Sequence, residues 1–142
     1  MEAFGAAFEA TIRVRYAETD QMGVAYHANL LPWFEVGRTE LLRAVGPPYR
    51  QLEAEGILLA VVEARLRYLL PIRYDALLTV RTRLETLGKA SVSFSYEVLD
   101  AATGTLHASG STRHACTTPG GAVHPLPPAL RDRLAPLLRS AP

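Results

Sequence analysis

The chain has one cysteine, Cys116, one lysine, Lys89, and one asparagine, Asn29. A lone cysteine excludes an internal disulfide and suits a reducing compartment, so a cytoplasmic protein is expected. No apolar run approaches the roughly 18 residues a spanning helix needs, and no membrane span is expected. The opening MEAFGAAFEA lacks a basic segment followed by an apolar one and does not read as a signal peptide. Charge of one sign is also lacking: the net charge is +1 and the arginines are scattered. Nucleic acid is therefore not an expected partner, because counterion release needs a concentrated basic face. Phosphate-loop, dinucleotide, nucleophile-elbow and HExxH motifs are absent. The four histidines (His27, His107, His114, His124) show no i, i+3 or i, i+4 pairing, so no metal site is expected. Cys116 falls in a predicted strand and reads as a small buried hydrophobe.

What is present is an ordinary globular composition, 49% hydrophobic and 20% charged over 142 residues. That length predicts one domain, 1–142, with a single core. Apolar Ala10, Ile12, Val14 and Tyr16 alternate with Glu9, Thr11, Arg13 and Arg15, predicting a half-buried strand over 8–16. A helix is predicted over 30–45, with Asn29 as N-cap, Pro32 in the first turn and Gly46-Pro47-Pro48 as its end. At 100° per residue, Leu30, Trp33, Phe34, Gly37, Leu41, Leu42, Ala44 and Val45 share one broad apolar face. Gly37 would let a sheet approach the helix backbone. Arg38 falls inside that arc, and a snorkelling stem explains it better than a substrate role.

A short helical turn is predicted over 49–55, then strands over 57–69, 76–86, 90–99 and 106–117, and a closing helix over 129–138. Pro71 breaks the first of these strands; Leu87-Gly88-Lys89 and residues 100–104 supply turns. Val92, Phe94, Tyr96 and Val98 line one face of their strand, opposite Ser91, Ser93, Ser95 and Glu97. The expected architecture is α+β: a long helix against a curved antiparallel sheet, with four consecutive strands in a meander and the first strand on whichever edge is left.

The segment from Tyr16 to Asn29 joins the first strand to the N-terminus of this helix. Free N–H groups at such a terminus, with the helix dipole behind them, stabilise charge developing on a carbonyl oxygen. Asp20, seven residues upstream on a loop hinged at Gly23, can fold back towards the same point. Donors and a carboxylate together suit acyl transfer. On these residues alone, a turn or capping role for Asp20 stands beside the catalytic one.

The run VRYAETDQMGVAYHANLLPWFEVGRTELLR resembles the signature of the 4-hydroxybenzoyl-CoA thioesterase family, especially its Tol-Pal-linked acyl-CoA thioesterase branch. Tyr68 to Leu77 resembles that family's connection into its next strand, and the likeness extends from about residue 10 to residue 117. The resemblance implies a hotdog fold, hydrolysis of an acyl-CoA, and two subunits whose sheets join, as a homodimer or a homotetramer. It implies no cofactor, since CoA is part of the substrate. It puts the catalytic aspartate at Asp20 and the carbonyl-polarising N–H at His27, with Tyr16 and the His27 side chain assisting. Lys89 occupies a turn where related thioesterases grip CoA phosphates from a neighbouring subunit; Arg65 and Arg67 cannot be told from surface charge. A hotdog dehydratase would carry His-Phe-Pro-Gly where this chain has His27-Ala28-Asn29-Leu30. A non-catalytic acyl-CoA sensor would have no need of Asp20.

Overall fold

The alternation at the start of the chain becomes strand β1, Phe8–Arg13, whose side chains are alternately half-buried and exposed. The computed structural model describes residues 7–46 and 49–138; the Pro47-Pro48 expected to end the long helix lies outside the described residues. Strand β1 stops three residues earlier than the alternation suggests. The Arg15 backbone N–H donates to Glu18 Oε1 (2.7 Å), closing a 3-10 turn at Tyr16–Glu18 and pulling the chain out of the sheet. A second 3-10 turn, His27–Asn29, leads into helix α1, Leu30–Val45. Asn29 is not its cap: its own backbone is helical, and its side-chain amide donates instead to Glu18 O (2.7 Å).

Of the predicted apolar arc, Leu30, Trp33, Phe34, Gly37, Leu41 and Leu42 are buried, Val45 is half-buried and Ala44 is exposed. Helix α1 packs on β1 and on β3, Leu77–Leu87. A Cβ at Gly37 would overlap Thr82 Oγ1, so glycine there sets the helix–sheet distance. Helix α2, Tyr49–Ala54, strands β2 (Leu58–Tyr68), β4 (Ser91–Asp100) and β5 (Leu106–Thr117), and helix α3 (Pro128–Leu134) complete the hotdog fold. Among the described residues, no helix is long and apolar enough to cross a membrane.

The sheet is antiparallel in the order β1-β3-β4-β5-β2, which corrects the four-strand meander. Strand β2 pairs with β5, not with its sequence neighbour β3, and so forms the far edge. Residues 69–76 must then cross three strand spacings, about 14 Å, an easy span for extended chain. Pro71, read as a strand breaker, lies in this crossover.

Val92, Phe94, Tyr96 and Val98 form the buried face of β4 as the alternation requires. The Phe34 ring stacks on Tyr96 with centroids 4.2 Å apart, and a Cβ at Gly110 would come within 2.6 Å of the Phe34 ring. Beneath lies a buried polar chain. Tyr96 Oη is 2.6 Å from Thr112 Oγ1, which is 2.8 Å from His114 Nε2, while His114 Nδ1 faces Leu59 O at 3.4 Å. Burial, aided by the Arg38 charge, pushes the His114 pKa down to about 4. The ring is therefore neutral at pH 7, with Nδ1–H donating to the carbonyl and Nε2 accepting from Thr112. Half-buried Arg38 thus has buried polar neighbours inside the apolar arc, Tyr96 among them.

Candidate active site

The loop between β1 and α1 is tied down along its length by backbone hydrogen bonds. Asp20 N–H donates to Val24 O (2.9 Å) and Gly23 N–H to Asp20 O (2.9 Å), making a tight turn with Gly23 at φ 79°. Ala25 N–H donates to Ile72 O (2.7 Å), seating the loop on the β2–β3 crossover. Tyr26 N–H donates to Glu18 O (2.8 Å), the carbonyl that also receives the Asn29 amide.

Glu18 is the brace of this loop. It is buried, 7% exposed, with Oε1 taking the Arg15 N–H and Oε2 taking Trp33 Nε1–H (3.0 Å). Burial works to raise its pKa, but the Arg15 N–H, the Trp33 indole and the Arg15 guanidinium outweigh it, and the net direction is down. A carboxylate locked this way by donors is committed to structure. Its one trace in the sequence is a Glu three residues after Arg15, the spacing of a capping box.

A cleft of about 360 Å³ opens where the loop meets the end of β2 and the crossover. Asp20, Met22, Val24, Ala25 and His27 form one side; Tyr68, Leu69, Leu70, Pro71 and Ile72 form the other. Asp20 is half-buried, and its Oδ1 accepts only the exposed Met22 N–H (2.9 Å), leaving Oδ2 with no protein donor among the described residues. His27 and Ala28 open the helical run, and their N–H groups have no acceptor among the described residues. An apolar wall, a carboxylate and helix-terminal donors therefore share one cleft.

Asp20 and His27 come together here. Tyr16 does not line the cleft: it is 78% exposed and meets the Tyr74 ring edge-on at 5.7 Å, rather than packing on α1. Lys89 is remote. Strand β3 begins beside the loop, where Val14 N–H donates to Ala76 O (3.0 Å), and ends at the Lys89 turn. Its eleven residues, at about 3.3 Å each, put those points about 35 Å apart. Within one chain Lys89 cannot meet Asp20. Tyr68 carries no signal in the sequence that marks it for this site: its hydroxyl donates to the His27 carbonyl (2.8 Å) and its ring edge meets the imidazole at 6.2 Å. Burial of the phenol raises its pKa, so it stays protonated at neutral pH.

A model of the thioesterase-like superfamily matches residues 14–134, a span that holds the loop, α1 and four of the five strands. The chain belongs to the thioesterase-like superfamily. It is a thioesterase with the hotdog fold. YneP of Bacillus subtilis is 40% identical over 105 residues, covering 74% of this chain and 75% of that protein. The acyl-CoA thioester hydrolase YbgC of Escherichia coli is 32% identical over 94 residues, 66% of this chain and 70% of that one. The crystal structure of a hypothetical protein, TT1821, from Thermus thermophilus superposes with a TM-score of 0.87 at 38% identity, covering 92% of this chain and 98% of that one.

Proposed function

We propose that this thioesterase hydrolyses acyl-CoA to the free acid and CoA, with Asp20 as its catalytic carboxylate. The observation that carries the reading is the shared cleft: Asp20, with an uncommitted oxygen, and the opening residue of the helical run line the same apolar pocket. The thioester carbonyl oxygen takes the His27 N–H, which becomes a stronger partner as negative charge develops on that oxygen. Asp20 then acts by one of two routes. It attacks the carbonyl carbon, expelling the CoA thiolate and leaving a mixed anhydride that water opens; or it takes a proton from a water that attacks the same carbon. Both routes consume one water and yield acid and thiol. The His27 imidazole and Tyr16 are assigned assisting roles, Tyr16 from the rim of the loop. No cofactor is invoked, since CoA enters with the substrate.

The working unit we propose is at least a homodimer, with a homotetramer as a dimer of dimers. Strand β2 lies at the sheet edge, so one side of its ladder has no strand among the described residues, and Val61 and Val62 are exposed along it. Two such edges joined make one continuous sheet. The remote position of Lys89 agrees with a lysine that serves a neighbour's cleft and holds CoA phosphates there. On the Thr19-Asp20, Tyr26-His27 and Phe34-Glu35 elements we place the chain with the 4-hydroxybenzoyl-CoA thioesterases, near the Tol-Pal-linked branch. We read it as a single domain working in the cytoplasm.

The test is release of free thiol from a panel of short-chain, branched and aromatic acyl-CoAs by the purified protein. Turnover of at least one class is expected. Saturable binding with no thiol release from any of them would favour an acyl-CoA sensor and contradict the reading.

A further inference from the structure

We propose that the outer face of the sheet, turned away from α1, is the surface through which two homodimers pack into the tetramer, its occupant being the same face of a second copy. This rests on the homotetramer read above and names the surface that joins its dimers. Joining two chains at β2 leaves this face uncovered, because strand pairing uses the edge and α1 lies on the inner side. Alternation along the strands settles which side chains point outward. Ser91, Ser93, Ser95 and Glu97 lie opposite the buried residues of β4. Ser95 sits between Arg83 of β3 and Ser111 of β5, and Glu97 between Arg81 and Ser109. Ser111 and Ser109 are in turn paired with Arg65 and Arg67 of β2. The centre of the face is therefore a floor of short serine side chains walled by arginine and glutamate. Two adjoining hollows of about 500 and 350 Å³ lie over it, sharing Arg65, Glu85, Ser95 and Ser111.

A sheet face open to water gains from β-branched, aromatic or long charged side chains that pack across neighbouring strands. Serine facing serine, as Ser95 faces Ser111, gives up that packing and leaves the backbone near the surface. A second sheet can then approach to the spacing of about 10 Å found between packed sheets. The charges select the occupant. Arg65, Arg67 and Arg83 line the larger hollow together with Glu85 and Glu97, so the two signs are interleaved. Nucleic acid or an acidic protein would be met by one sign. A face of both signs is complementary to itself about a twofold axis, where every contact between an arginine and a glutamate occurs twice. Arg67 is exposed and has no carboxylate within ion-pairing distance among the described residues, whereas Arg65 and Arg83 reach Glu63 and Glu97 of their own chain. The area is sufficient. Four strand spacings of about 4.8 Å and about eight residues of 3.3 Å give roughly 500 Å² of outer face per chain. A dimer with a continuous sheet presents about twice that, and two dimers would bury about 2,000 Å² in total, the size of a stable interface.

The test is the mass in solution by light scattering at micromolar concentration. The parent protein is expected at four chain masses. Replacing both Ser95 and Ser111 by glutamate puts each new carboxylate opposite an arginine of its own chain, Arg83 and Arg65, so the fold should persist with a melting temperature within a few degrees of the parent. The longer side chains stand between the two sheets, and this variant is expected at two chain masses. The corresponding double alanine variant keeps the floor low and is expected to remain at four. Arg67→Glu, at an exposed side chain with no ion pair of its own to lose, tests the same face without touching the floor and is also expected to give dimers. Glutamate variants that remain tetrameric beside a tetrameric parent would overturn the proposal and leave the homotetramer standing. A parent found at one or two chain masses would overturn the homotetramer itself, and this proposal with it.

Discussion

Replacing Glu18 by glutamine swaps one carboxylate oxygen for an NH2 group in a site built entirely from donors. Arg15 N–H holds Oε1 and Trp33 Nε1–H holds Oε2, so whichever way the amide turns, one of these donors meets another donor. Losing one hydrogen bond to a charged acceptor costs about 2 kcal/mol, and turning the other from charged to neutral costs about 1 kcal/mol more. The Arg15 guanidinium, 3.4 Å from Oε2 but 75% exposed, adds nothing measurable. The total is about 3 kcal/mol. With a urea slope of about 2 kcal/mol per molar, the unfolding midpoint should fall by about 1.5 M with the slope unchanged. The loss should shrink in acid. The folded pKa of Glu18 lies below its ordinary 4.5, so its contribution is full above that value and disappears as pH falls through the folded pKa. Because Glu18 also orders the loop through its carbonyl, the activity that remains should be reduced as well. A Glu18→Gln protein within about 0.5 kcal/mol of the parent would refute the assignment of Glu18 as the brace.

His114 and Lys89 give two more expectations. Burial holds the folded His114 pKa near 4 against 6.5 when unfolded, so its neutral form contributes nothing to pH dependence above pH 6.5. Stability falls as pH drops from 6.5 to about 4, by about 3 kcal/mol in all; denaturant curves of His114→Gln should be flatter than the parent's between pH 6.5 and 5. Lys89→Ala should raise KM for acyl-CoA with kcat nearly unchanged, and should not affect a pantetheine thioester that lacks the nucleotide. Equal effects on both thioesters would remove Lys89 from phosphate recognition.

Much of this molecule is legible where the signal is local. The α1 face can be read because six of its eight predicted positions answer to one period against one sheet. Gly37 can be read because a glycine amid a bulky apolar stripe has few uses other than close approach, and Thr82 supplies the approaching atom. The errors fall where distant residues decide. Strand β2 pairs with β5 across the sheet because residues 69–76 cross its end, and no periodicity encodes which neighbour a strand takes. Asn29 has the composition of a cap, yet the Glu18 carbonyl, eleven residues earlier, claims its side chain. Glu18 shows in the sequence only as a capping-box spacing from Arg15, since its Trp33 partner comes close only when the loop folds. Tyr68 shows nothing, because the His27 carbonyl reaches it only across the folded cleft. The Asp20–His27 pairing was visible because both residues lie on one short loop at a helix start.

The central claim is that Asp20 acts on the thioester carbon, and Asp20→Asn tests it most directly. Asparagine keeps the size of the side chain and the Met22 N–H bond at Oδ1, so the fold and acyl-CoA binding should be unaltered. Charge and basicity are lost. Measured by thiol release with the best substrate of the parent protein, kcat should fall by about 100-fold or more, with binding of the acyl-CoA retained. An Asp20→Asn protein that hydrolyses that substrate at close to the parent rate would contradict the account.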